Sequence, residues 1–157
     1  MNEILTRAAT AEAVSDAPGS LITLLADTAP LTCNTATFKE GATGAPAHYH
    51  TKATEFFLVT EGQLDVLVGE HIRTLGAGDF LAVPPGVTHA FAPAPGHGAS
   101  VFVGFTPGMG RFEYYRLLGR VSAGEATVQD IKDSSETYDN HYAESAVWSG
   151  RRRSAEP

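Results

Sequence analysis

The stretch GATGAPAHYHTKATEFFLVTEG, residues 41–62, decides the fold because it joins an H-Y-H pair to a carboxylate and a run of strand-forming residues. Side chains alternate between the two faces of a β-strand, so His48 and His50 project from the same face. Glu55 opens the next strand-like run and shares a face with Phe57 and Val59. A lone carboxylate on an apolar face is costly to bury. The pattern therefore predicts that Glu55 and the two histidines bind a cation.

A third histidine completes the predicted ligand set. His89 follows another strand-like run and the rigid PPG turn at residues 84–86, so a sheet that curls into a barrel can bring it to the same place. We predict four metal ligands: His48, His50, Glu55 and His89. Three imidazoles and one carboxylate leave positions open on an octahedral ion, which favours Ni, Co, Mn or Fe, with Cu and Zn also possible. Scattered surface histidines are the alternative interpretation.

Short runs of β-forming residues cover most of residues 20–107. The chain has 16 glycines and 9 prolines, which interrupt these runs as is typical of an all-β sandwich or barrel. Tight hairpin turns are predicted at residues 61–62 and 69–70. A chain of 157 residues suits one domain.

Two motifs resemble those of the cupin superfamily. The first runs from Gly41 to Gly62, and the second has the spacing Gly-x5-Pro-x-Gly-x2-His from Gly78 to His89. The resemblance implies a small single-domain cupin, whose barrel is a jelly roll, or double-stranded β-helix. It also implies a homodimer. The predicted divisions are an N-terminal arm (1–19), the barrel (20–107), a C-terminal helical extension (108–150) and a disordered tail (151–157).

The extension has apolar residues at helical spacing over residues 111–118 and 126–138. Such helices would cap the barrel mouth or cover the outside of a sheet. The runs GRFEYYRLLGR (110–120), YDNHY (138–142) and AVW (146–148) are similar to those of bacterial quercetinase-like cupins. If the segment around His141 folds over the barrel mouth, His141 would reach it.

The quercetinase resemblance implies a metal-dependent flavonol dioxygenase, which opens the heterocycle of a quercetin-like substrate with O2 and releases carbon monoxide. Its partners would be a small aromatic substrate and O2. Glu55 would then be both a metal ligand and the catalytic base that takes the flavonol proton. Phe57, Phe80 and Phe91 are predicted to form the aromatic wall of the substrate pocket, with ordinary barrel core as the alternative.

Other functions stay open at this point. One is an isomerase, cyclase or lyase that acts on a polyketide-like or aromatic compound and uses the metal as a Lewis acid without O2. Another is a non-catalytic cupin that binds a small ligand. A metal-free sugar epimerase of this fold is disfavoured because it would not need the complete ligand set.

Charge and hydropathy limit the classes of partner and the cellular location that we predict. A net charge of −7 and the lack of a basic stripe argue against nucleic acid as a partner. The sequence has no apolar stretch long enough to span a bilayer and no signal-peptide pattern at Met1, which predicts a cytoplasmic protein with no membrane partner. Cys33, the only cysteine, is predicted to be a small core residue.

Overall fold

Ten β-strands and four helices make up the part of the chain that the structure, a computed structural model, describes, residues 3–154. The strands are β1 (Ala13–Ala17), β2 (Ser20–Asp27), β3 (Thr32–Phe38), β4 (Ala45–Tyr49), β5 (Thr54–Val68), β6 (His71–Gly76), β7 (Phe80–Val83), β8 (His89–Pro93), β9 (Ala99–Thr106) and β10 (His141–Tyr142). The helices are α1 (Phe112–Ser122), α2 (Val128–Asp133), α3 (Ser135–Tyr138) and α4 (Ala146–Ser154).

The strands form one antiparallel sheet that curls into two facing halves. The first half contains β1, β2, β3, β9, the beginning of β5, and β7. The second half contains β6, the end of β5, β8, β4 and β10. The long strand β5 belongs to both halves. The prediction of an all-β barrel with a C-terminal helical extension is confirmed.

The hairpin predicted at residues 61–62 is wrong, because β5 continues through it. The register shifts between Val59 and Glu61, and Gly62 adopts a left-handed backbone with φ of 72°. A Cβ atom on Gly62 would lie 2.0 Å from the carbonyl oxygen of Gly98. The glycine therefore marks a bend where two backbones come close, which a sequence does not distinguish from a turn. The turn predicted at residues 69–70 is present, since Val68 pairs with His71.

Alternate residues of the strands fill the inside of the barrel. Phe57, Leu64, Val66, Val101 and Phe105 are at most 1% exposed and form the centre of the main core. Cys33 is buried, as predicted. The core thus comes from both halves of the sheet, which fixes how they face each other.

The C-terminal extension begins with α1, which packs across the first half of the sheet. Its buried residues Tyr114, Tyr115 and Leu117 form a second core with Ile22 and Leu24 of β2. The segment predicted as one helix over residues 126–138 is divided into α2 and α3. In the N-terminal arm, the structure has strand β1 paired with β2.

The last helix, α4, lies against the second half of the sheet. Trp148 is buried there with Leu67 and Ala90, and Arg151 forms an ion pair of 2.8 Å with Asp65. Residue 151 is therefore part of a packed helix, which corrects the prediction of a disordered tail from this position. The end of that predicted tail, residues 155–157, lies outside the described residues. Within the described range, every helix is too short or too polar to cross a membrane.

Candidate metal centre

The four predicted ligands come together inside the barrel. Their ligand atoms all lie within 4.8 Å of one another, and all four residues are buried. The Oε2 atom of Glu55 is 2.6 Å from Nε2 of His89 and 2.9 Å from Nε2 of His50. It is 3.8 Å from Nε2 of His48. The cluster could hold one metal ion.

Both halves of the sheet contribute to the cluster. Glu55 lies near the start of β5, where it pairs with β7 and β9. His48 on β4 and His89 on β8 lie directly opposite each other in the second half. His50 follows the end of β4 and is on the same side as His48, as strand alternation predicts. Closing the barrel is what brings the carboxylate to the histidines.

Each of the three histidines is held by a backbone carbonyl at its Nδ1 atom. The pairs are His48 with Pro46 at 2.7 Å, His50 with Asp139 at 2.6 Å, and His89 with Val87 at 2.8 Å. A carbonyl oxygen only accepts, so each Nδ1 carries the proton and donates it. This arrangement fixes the tautomer that leaves Nε2 available to a metal.

The charges of the cluster suit a cation. Burial and the nearby His89 lower the pKa of His48 to about 4, so His48 is neutral at neutral pH. Burial raises the pKa of Glu55, but the charge of His89 and the close polar contacts of the carboxylate with the three histidines hold it well below its ordinary value. Burial lowers the pKa of His89, but the Glu55 carboxylate and the hydrogen bond to the Val87 carbonyl together raise it above its ordinary value. An ionised Glu55 therefore already attracts positive charge to this point.

The donor set fits a divalent transition metal. Metal–nitrogen bonds of about 2.1 Å place neighbouring ligand atoms about 3 Å apart on an octahedral ion. The contacts of 2.6, 2.9 and 3.8 Å around Glu55 Oε2 bracket that spacing. Imidazole and carboxylate ligands without a thiolate match Fe, Mn, Co or Ni, and Zn or Cu are compatible.

A cavity of about 250 Å³ opens beside the cluster. Of the four ligands, His48 and Glu55 line this cavity. Much of the wall is apolar, and its apolar side chains include Ile22, Ala36, Phe38, Phe91, Val103 and Leu118. Residues of α1 and of the segment around residue 140 also line the cavity. The extension therefore forms part of the cavity wall.

The three phenylalanines predicted for the pocket wall lie in three different places. Phe91 lines the cavity. Phe57 is fully buried in the core, with its ring 6.4 Å from that of His89. The prediction for Phe80 is wrong: it is 62% exposed and pairs with Leu58, whose side chain lies on the outer face. The register between β5 and β7 therefore sends Phe80 away from the cavity.

The segment of His141 pairs with β4 at the edge of the second half of the sheet, and its neighbours rather than His141 contact the site. The His141 ring stacks on Tyr49, 5.1 Å away, and does not line the cavity. Asp139 accepts the hydrogen bond from His50, and Asn140 lines the cavity. Arg111 lines it as well. Sequence reasoning missed all three roles, because a polar residue beside a helix end has no pattern that separates it from the surface.

Comparisons with known proteins agree with this architecture. Residues 34–103 match the family model described as the cupin domain. The protein has the cupin fold. No curated protein matches its sequence.

Several solved structures share the cupin fold at low sequence identity. An RmlC-like cupin from Shewanella frigidimarina is 24% identical, with a TM-score of 0.60 over 72% of this chain and 96% of the other. Hydroxypropylphosphonic acid epoxidase from S. wedmorenis is 19% identical, with a TM-score of 0.57 over 66% and 59%. The Streptomyces nucleoside dehydratase Pac13 is 15% identical, with a TM-score of 0.55 over 68% and 83%. At these identities, the similarity establishes the fold alone.

Proposed function

We propose that this cupin is a metal-dependent dioxygenase that opens the ring of a flavonol or a related small polyphenol. The proposal depends above all on the convergence of three imidazole nitrogens and one carboxylate oxygen at a cavity wall. Because His48 and Glu55 line the cavity, a molecule bound there lies beside two of the four ligands. A closed structural site would have no such access.

Glu55 is the residue that would move the proton. Its low pKa keeps the carboxylate ionised, and its position in the cavity wall allows it to accept the proton of a substrate hydroxyl. When bound, a divalent metal would supply Lewis acidity toward that hydroxyl oxygen and couple the substrate to O2. A weak base such as Glu55 suits a hydroxyl made acidic in this way.

The size and lining of the cavity favour a small and largely aromatic substrate. Its volume of about 250 Å³ is just below the range of roughly 300–1,000 Å³ that is typical of ligand pockets. Phe38 and Phe91 present their rings edge to face at 6.1 Å in its wall. Rings of this kind pack well against a planar polyphenol and exclude water from the reacting atoms.

A non-oxidative reaction is the second candidate. The Glu55 carboxylate would transfer a proton between two atoms of the substrate, as an isomerase or lyase does, and O2 would not be consumed. The solved structures of this fold include both an epoxidase and a dehydratase, so the fold is compatible with either class.

Oxygen uptake by the reloaded protein tests the proposal. The protein is stripped of metal, reloaded separately with Ni, Co, Mn, Fe, Cu or Zn, and mixed with quercetin in air. We expect the near-ultraviolet band of quercetin to disappear with matching O2 consumption for at least one metal. Product formation without O2 would favour the non-oxidative candidate. Saturable binding without any product would favour a non-catalytic binder.

A further inference from the structure

Arg111, the residue before α1, brings a positive charge to the wall of the cavity. It is only 3% exposed. One terminal amino group donates to the carbonyl of Tyr138 at 3.2 Å, and the other donates to the amide oxygen of Asn140 at 3.1 Å. Its Nε–H has no partner in the described part of the chain. The guanidinium therefore retains an unused donor in a buried position.

This buried charge also makes no direct ion pair, and the Glu55 carboxylate raises its pKa only from beyond ion-pair distance. Among the side chains of residues 3–151, no carboxylate lies within ion-pair distance of the guanidinium. The rings of Phe105, Tyr114 and Tyr115 lie 4.8, 4.5 and 5.5 Å from it. Cation–π contacts offset part of the loss of hydration, but buried charges are usually paired. A water molecule would satisfy the free donor without supplying an ion pair.

Asn140 adds a second free donor to the same wall. It is 2% exposed, and its amide oxygen is occupied by Arg111. That hydrogen bond fixes the orientation of the amide, so the Nδ2 group is the free end. Nδ2 has no partner among the described residues. In the described range, buried side-chain atoms without a partner occur on three residues, and two of these, Arg111 and Asn140, line the cavity.

We propose that Arg111 and Asn140 form a subsite for an anionic oxygen of the ligand, either a carboxylate or an ionised phenol on an aromatic ring. The guanidinium supplies the charge, and the Nε–H and the amide N–H supply directed hydrogen bonds. The apolar wall that includes Phe91 and Val103 takes the ring. Arg111 makes no ion pair with Glu55, so the subsite does not share an atom with the metal ligands, although its charge is felt by Glu55 and His89.

The inference rests on the proposed function in one respect, namely that the ligand of the subsite is the substrate of the enzyme. A molecule that reaches both Glu55 and Arg111 would carry two acidic oxygens, one at the metal and one at the subsite. That requirement selects acidic polyphenols and hydroxylated aromatic acids, and it disfavours neutral compounds with one hydroxyl group. Binding itself does not require metal or turnover, so it can be measured separately.

Titration calorimetry on metal-free protein tests the subsite. The probes are benzoate, its neutral analogue benzamide, and 4-nitrophenol at a pH where it is ionised. The protein is stripped of metal and then transferred to chelator-free Tris buffer, so that no other organic anion competes. We expect at least one of the two anions to bind, with benzamide at least about tenfold weaker than benzoate if the carboxylate is the preferred form. Binding of 4-nitrophenolate alone would assign the subsite to ionised phenols.

Two variants locate the binding. Arg111→Gln removes the charge, and Asn140→Asp places a carboxylate beside Arg111 without changing the size of the side chain. Both substitutions should lower the affinity for the anion by at least about tenfold. Asn140→Asp should also raise the melting temperature, because it gives Arg111 a direct ion pair, so it stays informative if Arg111→Gln fails to fold. Arg120→Gln, which replaces an exposed arginine of α1, is the matched control and should bind like the wild type.

The proposal is overturned if neither anion binds, if benzamide binds as well as benzoate and 4-nitrophenolate does not bind, or if Asn140→Asp keeps the wild-type affinity. These results are distinguishable from failure of the dioxygenase proposal. If anion binding depends on Arg111 but no metal supports O2 uptake, the proposed subsite is supported and the dioxygenase proposal is rejected. If O2 is taken up but neither anion binds, the dioxygenase proposal is supported and the subsite is rejected.

Discussion

His50 is the ligand whose replacement tests the metal centre at the scale of single residues. Its Nε2 atom lies 2.9 Å from Glu55, and its Nδ1 is held by Asp139. His50→Ala should reduce metal affinity by at least about 100-fold, because it removes a ligand and its support together. Metal retained after dialysis measures the effect. His71→Ala, which removes an exposed histidine, should retain a full equivalent of metal. Equal metal content in both variants would contradict the assigned ligand set.

Single residues also show how far the sequence predicts the site. His48, His50, Glu55 and His89 were predictable because strand alternation and one rigid turn suffice to bring them together. The position of Phe80 depends on the register of β7 against β5, which alternation within one strand does not determine. The place of Arg111 depends on how α1 packs over the barrel. No local pattern contains that information.

The segment between α3 and β10 should act as a support for the metal centre at the scale of elements. Asp139, with φ of 48°, accepts hydrogen bonds from the backbone N–H groups of Thr51 and Lys52. Asp139→Ala should cost about 1–3 kcal/mol of stability and lower metal affinity by roughly tenfold, since the loop that contains His50 loses its anchor. Thermal unfolding and metal titration measure the two effects.

The matched control for this change is Asp133→Ala, because Asp133 is an exposed carboxylate of α2 that bonds only to Gln129 among the contacts described. It should change neither the stability nor the metal affinity appreciably. If Asp139→Ala behaves like Asp133→Ala, then the segment does not support His50.

The last helix contributes stability rather than chemistry. Trp148 is 4% exposed, packs against the second half of the sheet and does not line the cavity. Trp148→Ala should cost about 3–5 kcal/mol through loss of apolar contact and the cavity left behind. Denaturant unfolding measures this, with exposed Val147→Ala as the control. A loss below about 1 kcal/mol would mean that α4 is not part of the cooperative fold.

Elements differed in how well their boundaries could be predicted. Helical spacing predicts α1 correctly, because apolar residues that pack in the second core recur from Phe112 to Val121. The sequence pattern divides β5 into two strands at Gly62, because glycine is equally compatible with a bend and a turn. The contact of Gly62 with Gly98 decides between them, and it joins residues that are far apart in sequence.

At the scale of the whole molecule, the homodimer stays a prediction, as does the cytoplasmic location. An apolar surface that would suit a second copy lies on the outer face of the first half, where Phe80 is 62% and Leu58 38% exposed. The double change Leu58→Ser and Phe80→Ser should convert a dimer into a monomer in sedimentation experiments. A wild-type protein that sediments as a monomer at all concentrations would contradict the prediction.

The central claim is that the three histidines and Glu55 hold one catalytic metal ion. A crystal structure of the metal-loaded protein, with anomalous scattering recorded at the absorption edge of the metal, tests it most directly. We predict one peak per chain, roughly 2.0–2.3 Å from the Nε2 atoms of His48, His50 and His89 and from a carboxylate oxygen of Glu55. No peak at this point, or full occupancy at another site only, would contradict the account.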